Sequence, residues 1–242
     1  MATYTITITN NSSGWQTYKL FMEVPVVQNN SNEVFPNVFA VGRPRLNNGS
    51  TQTFVVNTEA FAICGYEQLS DKIIARGDDN VSATLTGTGD NNSVIDVRGG
   101  GPSFVSNGTG APAGSFEIYV NGYNAVQYPD VFCGYGKRSP STDYVRGGGR
   151  IERNVNIAAC WQAMPNTRYT ITPTVKFYVA TGDFTAGEIV RVTEVGLTQL
   201  IDFTPNGANA PTYASFEQKV DGSYGPVTYS QTPTSVLFTT KE

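Results

Sequence analysis

The sequence contains no histidine and only three cysteines, and charged residues make up 15% of its 242 positions. Without an imidazole there is no Ser-His-Asp or Cys-His catalysis, because those mechanisms need a histidine to carry the proton. Histidine-based zinc, copper and non-haem iron sites are excluded for the same reason. The cysteines show no Cys-x-x-Cys spacing, so they offer no four-thiolate site. We therefore expect no metal site and no cofactor.

The chain is acidic, with a formal net charge of −4. It carries few cations to neutralise phosphates, so we expect no nucleic acid as a partner. We also expect no membrane partner, because anionic lipid surfaces attract basic chains and no apolar run approaches the roughly 20 residues that span a bilayer. The first residues enter a strand-like pattern without a charged and then apolar leader. We therefore expect a cytoplasmic protein with reduced thiols.

Threonine alternates with aliphatic residues in the clearest secondary-structure pattern. Tyr4, Ile6 and Ile8 are predicted to face a core, and the threonines between them to face solvent. A second strand is predicted over 15–27, with Pro25 at an edge or an end. The residues Asn47-Asn48-Gly49-Ser50 predict a hairpin with a type I′ turn.

Similar strand patterns recur to the end of the chain, including 187–195 and 235–240. Roughly a dozen strand candidates occur at a spacing of about 8–12 residues, which is typical of sandwiches and barrels. No segment of ten residues shows a helical apolar period. We predict an all-β fold, a two-layer, jelly-roll-like β-sandwich with little helix. All-β units of this size often form one domain, so a single domain is predicted over 1–242.

Two arginines occur in a repeated string, Val-Arg-Gly-Gly-Gly, at 97–101 and 145–149. Successive glycine N–H groups beside Arg98 and Arg146 would bind a phosphate or carboxylate if the backbone forms an anion nest. The alternative is a glycine-rich turn or bulge in which positive φ angles are needed.

Aromatic side chains supply the other candidate ligand-binding residues: Trp15, Tyr18, Trp161 and Tyr224. Where they are exposed, they would form a platform for stacking a sugar or an apolar ligand. Most aromatic residues of a sandwich lie in its core, and that alternative stays open.

Cys64 and Cys133 each precede Gly-Tyr at the end of an apolar strand. They are predicted to lie close together if the two strand ends are equivalent. They are then either a thiol pair or two small buried apolar residues, which free cysteines usually are.

Carboxylates on predicted strands provide an acid–base alternative, and five are candidates: Glu23, Glu117, Glu188, Glu194 and Asp202. A glycosidase needs two carboxylates about 5–9.5 Å apart in a pocket. Glu188 and Glu194 lie roughly 20 Å apart along one strand, so a pair must come from different strands. Whether the protein is an enzyme stays open.

Three short strings resemble a family of uncharacterised small proteins, mainly fungal and without secretion signals: ITITNNS at 6–12, FAICGY at 61–66 and FYVATGDF at 177–184. The resemblance spans much of the chain. It implies a β-rich intracellular fold, and it implies no activity and no functional residue.

The function predicted from these observations is that of a non-catalytic binding or assembly protein. It would use loop ends or a sheet face to hold a small organic ligand, a glycan or another copy of itself, giving a homo-oligomer. One alternative is a histidine-free enzyme, either a carboxylate-driven glycosidase or an isomerase or cyclase in a sandwich cavity. A second is a self-assembling structural protein whose threonine-rich edge strands pair between copies.

Overall fold

The computed structural model describes residues 3–138, 155–191, 196–204 and 210–232, which form β-strands and no helix. The strands are β1 (Thr3–Asn10), β2 (Tyr18–Met22), β3 (Val26–Gln28), β4 (Val34–Pro36), β5 (Val38–Val41), β6 (Thr51–Asn57), β7 (Ala60–Tyr66), β8 (Asp79–Ala83), β9 (Asn92–Arg98), β10 (Gly101–Gly108), β11 (Phe116–Val120), β12 (Val131–Arg138), β13 (Val155–Gln162), β14 (Thr167–Thr172), β15 (Lys176–Thr181), β16 (Thr198–Asp202), β17 (Tyr213–Gln218) and β18 (Thr228–Ser230). These eighteen strands exceed the predicted dozen, partly because β3, β4 and β18 are too short to show alternation.

The described strands form four sheets. Sheet I has the order β18-β17-β1-β6 and sheet II the order β10-β9-β11-β14-β3. Sheet III has the order β4-β13-β12-β7-β8 and sheet IV the order β16-β15-β2-β5. Most neighbours are antiparallel, but β1 pairs in parallel with β17, and β9 pairs in parallel with β11.

The inner faces of all four sheets contribute to one hydrophobic core. Aromatic contacts show which sheets face each other: Tyr4 of sheet I lies 6.2 Å from Phe177 of sheet IV, measured between ring centroids. Phe116 of sheet II lies 6.0 Å from Tyr135 of sheet III. The architecture is therefore all-β and sandwich-like, as predicted. The single domain over 1–242 stays a prediction, which the shared core supports.

Sheets III and IV lie side by side and are joined at Asn37, which alone separates β4 from β5. The buried Asn37 side chain donates a hydrogen bond through Nδ2 to Gly187 O at 2.9 Å. Its Oδ1 accepts a hydrogen bond from the Cys160 thiol at 3.3 Å. One residue thus ties a strand junction to a neighbouring strand and to the segment around 187.

Sheet III is buried on both faces, which explains why β7 is continuously apolar instead of alternating. Its inner face packs into the shared core. Its outer face carries a second cluster in which Ile63 and Phe132 of the sheet contact Ala75 and Ile189 of two covering segments. The covering segments replace solvent and form a partial third layer.

Three sequence predictions about strands are wrong. The segment 15–27 is two strands, because the pairing of β2 in sheet IV stops before Pro25 and the chain continues as β3 in sheet II. The turn at Gly49 joins no hairpin, since β5 and β6 belong to different sheets, and Gly49 has a positive φ of 76° without a positive φ at Asn48. Residues 187–191 form isolated bridges through Glu188 and Ile189.

The rest of the predicted strand 187–195, positions 192–195, lies outside the described residues. The predicted strand 235–240 lies wholly outside them. Within the described part of the chain, no helix has the length and apolar character to span a membrane.

A glycine substitution tests the double burial of sheet III. A Cβ added to Gly65 would lie 2.5 Å from the Phe132 ring and 2.7 Å from Arg76 O, a backbone atom of a covering segment. We expect Gly65→Ala to lower the free energy of unfolding by about 1–3 kcal/mol, because the Phe132 ring and the segment must both shift. Gly108→Ala is the control, since its Cβ would meet no atom within 4 Å. Urea unfolding measures the stability of both variants. Equal stability of Gly65→Ala and Gly108→Ala would contradict the close packing of the covering segment on sheet III.

Candidate functional site

The outer face of β1 is a row of threonines. Thr5, Thr7 and Thr9 point away from the core, because Ile6 and Ile8 between them are fully buried. Successive threonines on this face lie about 6.5–7 Å apart along the strand.

Neighbouring strands extend the row into a grid of hydroxyl groups. The parallel register of β1 and β17 places Thr5 beside Tyr213, and Thr7 beside Ser215. On the other side Thr7 lies opposite Thr53 of β6, with the two Oγ1 atoms 3.3 Å apart. Adjacent strands are separated by about 4.7–4.9 Å, so the hydroxyl groups of one row are close neighbours.

A cavity of about 360 Å³ lies on this face of sheet I. It is lined by Thr5, Thr7, Thr9, Tyr213, Ala214, Ser215, Phe216, Glu217, Pro226, Thr228 and Ser230. Hydroxyl groups therefore come from three adjacent strands, β1, β17 and β18. None of these lining residues is cationic.

Glu217 is the single carboxylate among the lining residues. Its side chain is held at one end of the cavity, because Oε2 accepts a hydrogen bond from Asn11 Nδ2 at 2.8 Å. Gly225 N donates to Glu217 O at 2.8 Å, which fixes the backbone at the same position. The second carboxylate oxygen, Oε1, makes no hydrogen bond with the described residues.

The chemistry of this face suits a neutral, hydroxyl-rich molecule. A hydroxyl group both donates and accepts hydrogen bonds, and a carboxylate accepts from two neighbouring hydroxyl groups at once. Tyr213 adds an aromatic ring with a polar tip, the kind of side chain that contacts the apolar side of an amphipathic ligand.

The four aromatic candidates are dispersed, and none lines the cavity. Tyr18 and Trp161 are fully buried, so neither forms a surface platform; the Tyr18 hydroxyl donates to Gln218 Oε1 at 2.9 Å. Tyr224 is half-buried, with its ring 5.6 Å from that of Phe216. Trp15 is 63% exposed, and the Arg45 guanidinium lies 5.3 Å from its ring centroid.

The two arginine candidates do not form a described nest. Arg98 is exposed and pairs with Asp96 of its own strand at 2.5 Å, beside the glycine turn that joins β9 to β10. Its charge is therefore partly neutralised by a neighbouring residue. Arg146 lies outside the described residues.

Sequence reasoning missed the residues that line the cavity. The Thr/Ile alternation correctly assigned Thr5, Thr7 and Thr9 to the outer face, but it was interpreted as ordinary solvent exposure. Tyr213 and Glu217 carry no sequence signal, because they join the face only through the parallel pairing of β1 with β17.

The candidate carboxylates do not meet as a pair in either of two described cavities. Glu23 and Asp202 flank Lys176, with oxygens 3.4 and 3.9 Å from Nζ. Glu117 pairs with Arg168 at 2.8 Å, and Glu188 Oε2 accepts from Thr185 N at 2.7 Å. Glu194 lies outside the described residues. In the described ranges, no three His, Cys, Asp or Glu side chains are grouped to hold a metal ion.

The model of one protein family, described as RhiA, matches residues 1–222. The chain belongs to the RhiA family. No curated protein matches the sequence, and no solved structure matches it. A family-level resemblance over much of the chain was predicted, and at that level it is confirmed; the mainly fungal origin of the family stays a prediction.

Cys64 and Cys133 of this RhiA-family chain lie directly opposite each other on β7 and β12. Glu67 N donates to Asp130 O at 2.9 Å, which makes that pair a hydrogen-bonded one. Because pair types alternate, the cysteines occupy a non-hydrogen-bonded pair, with Cα atoms about 4.5 Å apart. Both are fully buried and free, so the two thiols are adjacent in the core without a disulfide.

Lys137 is a buried cation that sequence reasoning did not single out. It is 4% exposed, and Nζ donates to Asn57 O at 3.1 Å. The ammonium also lies 5.7 Å from the ring centroid of Tyr135. Burial lowers the pKa of Lys137 to about 8, and the Glu59 carboxylate opposes the shift.

Burial of the thiols predicts low reactivity in the native state. Burial raises the pKa of Cys64 and Cys133, and it raises the pKa of Cys160 to about 12, although the hydrogen bond between the Cys160 thiol and Asn37 opposes this shift. Since the thiolate is the reactive form, we expect no fast reaction with an aromatic disulfide reagent at pH 8. In guanidinium chloride all three cysteines should react. A thiol that reacts stoichiometrically within seconds in the native protein would contradict this.

Lys137 predicts a pH-dependent stability with a defined sign. Its folded-state pKa lies below the ordinary value, so between about pH 8 and 10.5 the unfolded chain binds more protons. The contribution of Lys137 to stability therefore rises with pH across this window. We expect the stability of wild type relative to Lys137→Met to increase by roughly 2–3 kcal/mol between pH 7 and 10.

Urea unfolding at four pH values measures this difference. Lys219→Met is the control, because it removes a lysine from an exposed position. A stability difference for Lys137→Met that does not change with pH would show that the amine of Lys137 is not desolvated.

Proposed function

We propose that this protein is a non-catalytic binding protein that holds a neutral, polyhydroxyl ligand, most simply a glycan, on the outer face of sheet I. The observation that carries the proposal is the 360 Å³ cavity on a regular sheet face, lined by hydroxyl groups from three strands with one carboxylate and one tyrosine. Of the two locations predicted from the sequence, loop ends and a sheet face, we propose the sheet face.

The regular spacing of the grid supports a repeating ligand. Hydroxyl groups recur about 6.5–7 Å along each strand and about 4.7–4.9 Å across strands. A linear sugar chain offers donors and acceptors along its length, so several weak hydrogen bonds form together. Each is worth about 0.5–1.5 kcal/mol net, and affinity depends on their number.

Charge supports a neutral ligand over an anionic one. The lining residues within the described part of the chain include no lysine or arginine, and Glu217 would repel a phosphate or carboxylate. Glu217 is held by Asn11, so one oxygen is positioned and the other is available to a sugar hydroxyl group. A charge-assisted hydrogen bond of this kind is stronger than a neutral one.

The same cavity offers little support for catalysis, because glycoside hydrolysis needs two carboxylates and its lining includes one. We also propose that the protein is cytoplasmic and has no nucleic-acid or membrane partner. The net charge of −4 supports the second part, because phosphates and anionic lipids attract basic chains. Homo-oligomer formation remains a compatible alternative, and light scattering on the same samples would detect it.

A glycan-binding experiment tests the proposal. Wild-type protein is applied to an array of neutral oligosaccharides, and the strongest ligand is titrated by calorimetry. We expect Glu217→Gln to weaken binding about ten-fold, because a charge-assisted hydrogen bond is replaced by a neutral one. Tyr213→Ala should weaken it at least as much.

Glu117→Gln is the matched control, since Glu117 is also a strand carboxylate but lies on sheet II, paired with Arg168. It should bind as wild type does. The proposal is wrong if no neutral oligosaccharide binds saturably, or if Glu217→Gln and Glu117→Gln lose the same affinity.

A further inference from the structure

A second cavity, of about 440 Å³, lies over the outer face of sheet III. It is lined by Ile74, Ala75, Arg76, Gly77, Asn80, Val155, Asn156, Ile157, Thr185, Ala186 and Gly187. We propose that this cavity binds a small organic carboxylate through Arg76. The proposal does not depend on the sheet I face, because the two cavities share no lining residue.

The rim of the cavity is built by two segments that hold each other in place. Ala75 N donates to Gly187 O at 3.0 Å, and Ile189 N donates to Ile73 O at 2.8 Å. Asn37 Nδ2 adds a bond to Gly187 O at 2.9 Å. The two segments are therefore pinned to each other and to the strand junction, so the cavity is preformed.

Two glycines allow this close approach. Gly187 has a positive φ of 88°, a conformation that residues with a Cβ rarely adopt. A Cβ on Gly77 would lie 2.6 Å from the Ile63 side chain. At both positions a covering segment lies close to its neighbours, Gly187 against the backbone of Ala75 and Gly77 against Ile63 of the sheet.

Three side chains of the lining have polar groups with no partner in the described residues. Arg76 makes no ion pair or hydrogen bond there, although other arginines such as Arg98, Arg168 and Arg191 do. The amide of Asn80 and the hydroxyl of Thr185 likewise make no described side-chain hydrogen bond. Arg76 and Asn80 lie four residues apart in one segment and Thr185 lies in the other, and the three exposed side chains border one cavity.

The nearby carboxylates are not among the lining residues, and each accepts a hydrogen bond from a backbone N–H group. Asp78 Oδ2 accepts from Tyr66 N at 2.9 Å, and Asp79 Oδ2 accepts from Phe104 N at 2.9 Å. Glu188 Oε2 accepts from Thr185 N at 2.7 Å. Among the lining residues that the structure describes, the guanidinium of Arg76 is the single charge, and it favours an anion.

The rest of the lining selects an organic anion. Ile74, Val155 and Ile157 form an apolar wall. Packing the hydrocarbon part of a ligand against this wall removes apolar surface from water, which is favourable. The planar fork of arginine matches a carboxylate with two parallel hydrogen bonds. A carboxylate on a short carbon chain would contact both the polar side chains around Arg76 and the apolar wall. Inorganic phosphate would contact only the polar side chains.

Calorimetry with succinate, at constant ionic strength, tests the proposal. The neutral isostere succinamide and inorganic phosphate are the comparison ligands, and thermal unfolding is followed in parallel. We expect saturable succinate binding, with little binding of succinamide. Arg76→Ala should weaken it at least about ten-fold, because a charge-assisted hydrogen-bond pair is lost. The affinity of Arg76→Lys for succinate should lie between those of wild type and Arg76→Ala, since lysine keeps the charge but lacks the planar guanidinium group.

Arg98→Ala is the matched control, because Arg98 is exposed but lies outside the cavity. It should bind succinate as wild type does, and Thr185→Val should bind more weakly than wild type. The proposal is overturned if succinate does not bind saturably, if succinamide binds equally well, if phosphate binds and succinate does not, or if Arg76→Ala and Arg98→Ala behave alike.

Discussion

The layer formed by sheets III and IV depends on the hydrogen bonds of one buried residue, Asn37. It lies where the chain leaves β4 and enters β5, so it occupies the seam between two sheets. Its amide binds Gly187 O, its carbonyl oxygen accepts from Cys160, and its backbone N donates to Ala158 O. A buried polar group left without partners costs about 1–3 kcal/mol, so these bonds fix one arrangement of strand, junction and covering segment. The hydrogen bond from Asn37 to Gly187 O also fixes one segment of the rim of the second cavity.

Much of the fold was readable from local patterns, because a half-buried strand imposes a period of two. The alternation of Tyr4, Ile6 and Ile8 correctly gave the core face of β1. The double burial of β7 was not readable, since a continuous apolar run does not say what covers its second face. Pairing was the least accessible feature: nothing near Gly49 reveals that β5 and β6 enter different sheets.

The candidate site was predicted less well than the fold, because the prediction relied on residue types that often contact ligands. Aromatic and arginine side chains attract attention as ligand contacts, yet Trp161 and Tyr18 are core residues, and Arg98 is paired with Asp96. The described cavities are lined instead by residues of ordinary appearance, such as Thr7 and Thr185. Their roles arise from register and from the covering segments, which are long-range properties of the fold.

The parallel pairing of β1 with β17 has a consequence for how the chain is made. Thr5 pairs with Tyr213, so a central strand of sheet I emerges from the ribosome about 200 residues before its neighbour. Until then it has only β6 beside it, and one long edge of hydrogen-bonding groups is open to other nascent chains. Such distant pairing slows folding and prolongs exposure to aggregation. The threonines of β1 keep one face of this unpaired strand polar during that interval, which limits the apolar surface that the growing chain exposes.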